Sequence, residues 1–372
     1  MKKALLLLIV ILTGVHSVSA DDHIFFKKKS GEITMKPRTA NDLFSFREPN
    51  DGLFAFTKTE GATASTETTI SDGFEVKINS DKVKSFAADD LEVGIVYSWF
   101  DSIPKYGFDA TMKTGNELKN YNFTVHGLDH GVTYFWRPYV RIFGDIYYGN
   151  TVDSITTAGE TQQLKRKITL YAENPNAAPW DALNMLVVEF DRYNVGSCSD
   201  GNPGTYFAQC ETKPKDTYTM DNYEWKDYDK KRFSNADDAA YVASGGKCRS
   251  INYDDLIYFI VYREKLQCSS ETRIAPDGSE IKGILVKGED YGEEVFFPST
   301  GYYDGDSLKN TDDVYLWGLP INRGYDGYYY LHIDLEIGFD YTRISPHLGM
   351  PLRGIFSIDE KEIFPKGGDD DE

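Results

Sequence analysis

Beyond its first twenty residues the chain lacks any run apolar enough to span a bilayer, which argues against a helical membrane protein. Basic residues are in deficit: 40 Lys and Arg stand against 59 Asp and Glu, a formal net charge of −19. Nucleic acid, whose binding depends on neutralising phosphates, is therefore not an expected partner. Docking on an anionic lipid surface is disfavoured for the same reason, and the acidity reads as a solubility device. Histidine is scarce, with 6 scattered residues, and the 4 cysteines show no Cys-x-x-Cys spacing, so a zinc site is not expected. Also missing are a Gly-x-Ser-x-Gly elbow, a His-Glu-x-x-His helix and a phosphate-binding glycine loop. No enzyme is expected. With carboxylates this plentiful, sequence alone does not exclude a glycosidase-like pair.

What is present begins with an export signal over residues 1–20. Lys2 and Lys3 form its charged start, residues 4–12 its apolar core, and Val18-Ser19-Ala20 its small-residue cleavage site. No cysteine follows the core, so a lipid anchor is not indicated, and an exported protein, surface-held or released, is the expectation. The remaining chain of roughly 350 residues suits two domains. Tyrosine is abundant, at 26 residues beside 22 Phe and 5 Trp, a composition that suits strands and also sugar- or protein-binding surfaces. Cys198, Cys210, Cys248 and Cys268 all lie in the second half. In an exported protein an even count reads most simply as two disulfides, with three pairings open.

Residues 21–60 show no clear period and are expected to be an extended lead-in, with a short strand near Leu53-Phe54-Ala55-Phe56. Over residues 61–158 short alternating segments separated by polar turns predict a β-sandwich. Val93, Ile95 and Tyr97 fall on one face of such a segment. Leu128-Asp129-His130-Gly131-Val132-Thr133-Tyr134 sets a turn before a strand, with Tyr134 placed as in a tyrosine corner. The run from Gly127-Leu128 through Tyr134-Phe135-Trp136-Arg137, Tyr139-Val140-Arg141, Tyr147-Tyr148-Gly149 and Thr156-Thr157 resembles the end of a fibronectin type III-like module of Bacteroidetes-type surface proteins. Pro138 departs from that pattern, and a bulge or edge exposure is expected there. The module reads as a spacer before it reads as an adhesion site, because a fold alone implies no site.

A polar linker is expected over residues 159–165, and an α+β domain over 166–358. Ser234-Asn235-Ala236-Asp237 opens one helix, which Gly245-Gly246 closes. Asn252 with Asp255 opens a second, with Leu256, Phe259 and Ile260 at core spacing. Six motifs in order resemble the FISUMP-type, or major paralogous, domain, a C-type-lectin-like module. They are Tyr193-Asn194-Val195-Gly196-Ser197, the run from Tyr206-Phe207-Ala208-Gln209-Cys210 to Lys215, and Gly245-Gly246-Lys247-Cys248-Arg249. Next come Val295-Phe296-Phe297-Pro298 leading through Gly301-Tyr302-Tyr303-Asp304-Gly305 to Val314-Tyr315-Leu316-Trp317, then Tyr329-Tyr330-Leu331 and Gly349-Met350-Pro351-Leu352-Arg353. Gln209 and Cys248 stand where the family has tryptophan. The resemblance thus implies that Cys210 and Cys248 bridge, leaving Cys198 with Cys268.

The fold class expected is two-domain: an all-β fibronectin III-like sandwich followed by an α+β C-type-lectin-like domain. Tyr302, Tyr303 and Tyr328 are the candidate ligand-binding aromatics, while Trp317 is expected in the core. Asp304, Asp306, Asp312 and Asp313 offer oxygens of the kind calcium takes, although an acidic turn is the plainer reading; no other cofactor is implied. The resemblance implies a non-catalytic protein that binds a glycan or an extracellular protein. A structural part in a surface assembly is the alternative, and an enzyme on the related formylglycine-generating fold is a third. Residues 359–372 read as a solvated acidic tail.

Overall fold

Alternating apolar and polar residues place one face of each strand in a core, and that period organises the first half of the chain. The computed structural model describes residues 23–27, 32–37, 53–79, 85–87, 91–142, 144–174, 183–225, 233–288, 293–319, 329–336 and 338–363. The expected leader and acidic-tail end lie outside them. In chain order the first half carries strands β1 (His23–Lys27), β2 (Glu32–Pro37), β3 (Phe54–Lys58), β4 (Ala64–Ser65), β5 (Ile70–Ile78) and β6 (Ser85–Ala87). There follow β7 (Leu91–Ser98), β8 (Ala110–Gly115), β9 (Asn120–Val125), β10 (Thr133–Ile142), β11 (Asp145–Tyr148) and β12 (Asp153–Thr156).

Two antiparallel sheets result. One joins β3, β4 and β9 to β5; the other runs β11-β10-β7-β8, with β12 also on β10. Their facing sides meet in one core that includes Phe74, Val93, Ile95, Tyr97, Phe123, Tyr134 and Trp136. The expected lead-in is more ordered than anticipated, since β1 and β2 pair and β2 also runs parallel to β6. The expected short strand is β3.

Pro138 neither bulges nor reaches solvent. It is buried, and its pairing with Ile95 continues without a register shift. The other edge of β10 supplies the reason. β11 pairs with Tyr139 to Ile142 and β12 with Thr133 to Trp136, so Pro138 falls where one partner strand gives way to the next. Its carbonyl accepts from Gly149 N–H at 2.9 Å, and the missing donor faces a gap in the ladder rather than a partner.

The second half opens with β13 (Lys167–Glu173) and β14 (Leu183–Asn194), and holds helices α1 (Ala239–Ala243) and α2 (Tyr253–Tyr262) with β15 (Arg249–Ser250) between them. Then come β16 (Gln267–Ile274), β17 (Glu280–Lys287), β18 (Glu294–Pro298), β19 (Tyr302–Asp304), β20 (Ser307–Lys309), β21 (Val314–Trp317), β22 (Tyr329–Asp334), β23 (Gly338–Arg343) and β24 (Arg353–Ile363). The first and last strands close on each other in the order β13-β14-β24-β15. Separate small sheets run β16-β17-β18 and β21-β22-β23, and β19 pairs with β20 as a hairpin. Leu256 and Phe259 of α2 pack with Phe190, Val286, Phe297, Leu331 and Phe339 in the larger core.

The caps explain where the helices start. Ser234 closes a capping box with Asp237 around a single 3-10 turn, and Asp238 then caps α1 by accepting from Ala240 N–H. Asn252 and Asp255 form the box that opens α2. Ile260 is only half-buried, and Tyr262 fills the core position instead.

Candidate functional site

The outer face of β7 and β10, which a lone sandwich would show to water, is covered here by the second half of the chain. Tyr139 and Arg141 point outward from β10, opposite the core residues Val140 and Ile142, yet both are buried. Tyr139 lies across Gly94, where an added Cβ would come within 2.8 Å of its ring, and donates to Glu92 Oε1 at 2.6 Å. Arg141 donates Nη1 and Nη2 to the two oxygens of Asp216 at 2.7 and 2.6 Å, a bidentate bond from the sandwich to the loop after Cys210. Other contacts fasten the halves. Tyr193 OH donates to Asp129 Oδ2 at 2.6 Å, and Cys198 is fully buried within the sandwich core cluster. Residues of the expected linker lie on the sandwich: Gln162 N–H donates to Gly131 O at 3.1 Å.

Beside the Arg141–Asp216 bond opens a cleft of about 370 Å³. Tyr106, Gly107 and Thr111 line it from the sandwich; Tyr206, Lys215, Asp216, Tyr218, Tyr303 and Asp306 line it from the second half. Its volume falls within the range of about 300–1,000 Å³ usual for small-molecule sites. Local structure fixes each wall. Tyr303 on β19 exchanges backbone bonds with Gly349 at 2.8 and 2.9 Å, and the hairpin turn at Gly305 exchanges bonds with Tyr218 at 2.8 and 2.9 Å. Gly305 takes φ +64°, the left-handed conformation that a tight two-residue turn demands. Gly349 has no side chain because Tyr218 lies on it; a Cβ there would stand 2.7 Å from the ring.

The rings form a connected set. Tyr303 meets Tyr206 edge-to-face at 4.8 Å between centroids and stacks on Tyr218 at 5.9 Å. Tyr106 meets Tyr139 edge-to-face at 5.1 Å. Tyr218 is buried beneath, while Tyr106, Tyr206 and Tyr303 remain half-exposed. Tyr218 OH donates to Tyr206 O and Tyr206 OH to Thr300 O, each at 2.6 Å. Burial pushes the hydroxyls of Tyr106, Tyr206 and Tyr218 well above the usual phenol range, so they stay neutral. Lys215 Nζ forms an ion pair with Glu211 Oε2 at 2.5 Å and donates to Asn222 O at 2.6 Å. Burial, the larger influence, raises the Glu211 carboxyl above its ordinary value despite that lysine.

The sequence-predicted residues fare unequally. Tyr303 and Asp306 line the cleft. Tyr302 packs edge-to-face on Tyr315 at 5.3 Å instead, and Tyr328 lies outside the described residues. Trp317 is core, donating Nε1–H to Phe207 O at 2.9 Å. The four aspartates do not converge. Asp304 faces His347 at 4.0 Å, Asp312 faces Lys282 at 3.9 Å, and Asp313 faces His332 at 4.0 Å. Among the described residues no group of three or more His, Cys, Asp or Glu could hold a metal ion.

The expected disulfides are not formed: all four cysteines are free. Cys198 packs in the sandwich core, Cys268 against the larger core, Cys248 around Trp317, and Cys210 beside Tyr218 and Tyr223. Gln209 is buried and donates to Gly318 O at 2.6 Å.

No family model matches the chain, and no curated protein matches it either. The cleft residues that sequence reasoning missed are Tyr106, Tyr206, Tyr218, Lys215 and Asp216. Tyr206 and Lys215 fall in a motif read there for its resemblance and not as a site; for Tyr106 and Tyr218 the one signal was the overall excess of tyrosine, and Asp216 carried none.

Proposed function

We propose that the protein is an exported, non-catalytic binding protein, built from a fibronectin III-like module and a C-type-lectin-like module, that holds a glycan in the cleft between them. The carrying observation is the tyrosine lining. Three half-exposed rings from both modules flank one opening beside the polar groups of Asp216, Asp306 and Thr111. Apolar ring faces suit the C–H faces of a sugar, and the flanking oxygens suit its hydroxyls. The module reading draws support from the sheet order of the sandwich and from the Tyr134 hydroxyl, which accepts from Asp129 N–H at 3.1 Å as a tyrosine corner does. The nine paired positions between β14 and β24, which bring the ends of the second module together, support the lectin-like half.

The test is a broad glycan array probed with the full chain, with calcium and with chelator, beside Tyr303→Ala. Binding that survives chelator and is lost in Tyr303→Ala is the expected result. Binding that chelator abolishes contradicts a cleft without a metal. A second reading, assembly by strand addition, rests on β16, which among the described strands pairs only with β17. Silence on the array with concentration-dependent self-association would favour it.

A further inference from the structure

Resting on that reading of the cleft, we infer that its ligand is an uncharged glycan and that the site excludes sulfated and carboxylated sugars.

The one lining cation is Lys215. Its side chain is 15% exposed, and its ammonium is held between Glu211 Oε2 and Asn222 O. Glu211 is itself buried, so drawing Lys215 toward a ligand anion would strand a buried carboxylate. Arg141, bonded to the lining residue Asp216, has both terminal nitrogens on that carboxylate and a further contact of 3.6 Å with Glu92. Neither cation is free to meet an anion.

The acidic side is in surplus. Asp306 lines the opening, is exposed, and is bonded by the neighbouring Ser307 hydroxyl at 3.2 Å. Asp304 sits on the same hairpin with His347 at 4.0 Å from Oδ1. Burial depresses the His347 imidazole below its usual value, so at neutral pH it is uncharged and leaves Asp304 unneutralised. The long-range field adds to this, since the chain carries a formal charge of −19. An anionic substituent entering the cleft meets the unpaired Asp306 carboxylate and, among the lining residues, no available cation. A hydroxyl meets carboxylate acceptors at Asp306 and at the half-open face of Asp216. Selection by repulsion against the wrong ligand and acceptance of the neutral one then reside in the same residues.

The full chain is measured against matched sets of immobilised oligosaccharides, each neutral member beside its sulfated and its 6-carboxylate form, at low and at physiological salt. Neutral members should bind at least about tenfold more tightly than their charged forms at low salt. That gap should shrink with added salt and in Asp306→Asn. Charged forms binding as well as neutral ones would overturn this inference while leaving the glycan reading intact. A gap unchanged in Asp306→Asn would overturn the role given to the hairpin carboxylate. Silence of the neutral members as well would overturn the glycan reading itself, and this inference with it.

Discussion

Arg141 and Asp216 are joined by two parallel hydrogen bonds of 2.7 and 2.6 Å, although one belongs to a sandwich strand and the other to a loop 75 residues further along the chain. The partners are unequally placed, with Arg141 10% and Asp216 62% exposed at the side chain. Solvent therefore weakens the pair on the Asp216 side, and Asp216→Asn should cost only about 1 kcal/mol. Arg141→Met also removes the guanidinium 3.6 Å from the half-buried Glu92 and should cost more, about 2–3 kcal/mol. Urea denaturation of both variants and of the double variant checks the order. Equal costs for the two single changes would contradict it.

Tyr134→Phe isolates the tyrosine corner. The ring stays in the core, but Asp129 N–H loses the hydroxyl that accepts from it at 3.1 Å. A donor left without its partner costs about 1–3 kcal/mol. The same loop carries the Asp129 carboxylate that accepts from Tyr193 OH at 2.6 Å, so amide exchange should quicken around both Asp129 and Tyr193. Exchange confined to the sandwich side would separate the corner from the module contact.

Gly349→Ala tests how the cleft wall is built. The added methyl would meet the Tyr218 ring, which has a backbone carbonyl bond on one side and Tyr303 stacked on the other. The ring has nowhere to retreat without shifting Tyr303. Overpacking of this kind costs about 1–3 kcal/mol, and ligand affinity should fall with it. Full affinity in a destabilised variant would place the ligand elsewhere.

Stability should also depend on pH through Asp109. Burial is the main cause that pushes its carboxyl up from 3.8 to about 6, against the hydrogen bond it accepts from Lys105 N–H at 2.8 Å. Below pH 3.8 both folded and unfolded forms hold the proton and the group contributes nothing to the slope. Between 3.8 and 6 the folded form holds it more tightly, so stability falls as pH rises, by roughly 3 kcal/mol in all, and then levels off. Asp191 and Asp200 are raised in the same direction, again chiefly by burial. Asp109→Asn keeps an acceptor for Lys105 and should flatten that part of the profile. Parallel melting curves at pH 4.5 and 7 for both proteins read the difference.

The cysteines give a chemical check. Burial lifts the Cys248 and Cys268 thiols to about 11 and the other two further, so all four react slowly when folded. Unfolded without reductant, the chain should take up four alkyl groups. Uptake of none or two would restore the disulfides that the family resemblance implies.

Local signals were legible in the sequence because local physics sets them. The alternation of Val93, Ile95 and Tyr97, the caps at Ser234 and Asn252, and the buried Trp317 all follow from period, side-chain chemistry or motif. Pro138 was misjudged because its cost depends on where β11 and β12 meet, a fact of the neighbouring strand. Of the cleft, only Tyr303 and Asp306 were singled out in the sequence. Tyr106, Tyr218 and Tyr303 are far apart in the chain, and only the docking of β7 and β10 on the second half brings them to one opening. Tyr139 and Arg141 occupy polar-face positions of a strand, so no pattern marked them as buried. Cys198, counted as half of a bridge, fills the core of the other half of the chain.

The most direct measurement is a crystal structure of the full chain with the tightest neutral oligosaccharide from the array. The account predicts a sugar ring seated between Tyr106 and Tyr303, with hydroxyls on Asp216 and Asp306 and no metal ion. A ligand bound elsewhere, or held through calcium, would contradict it.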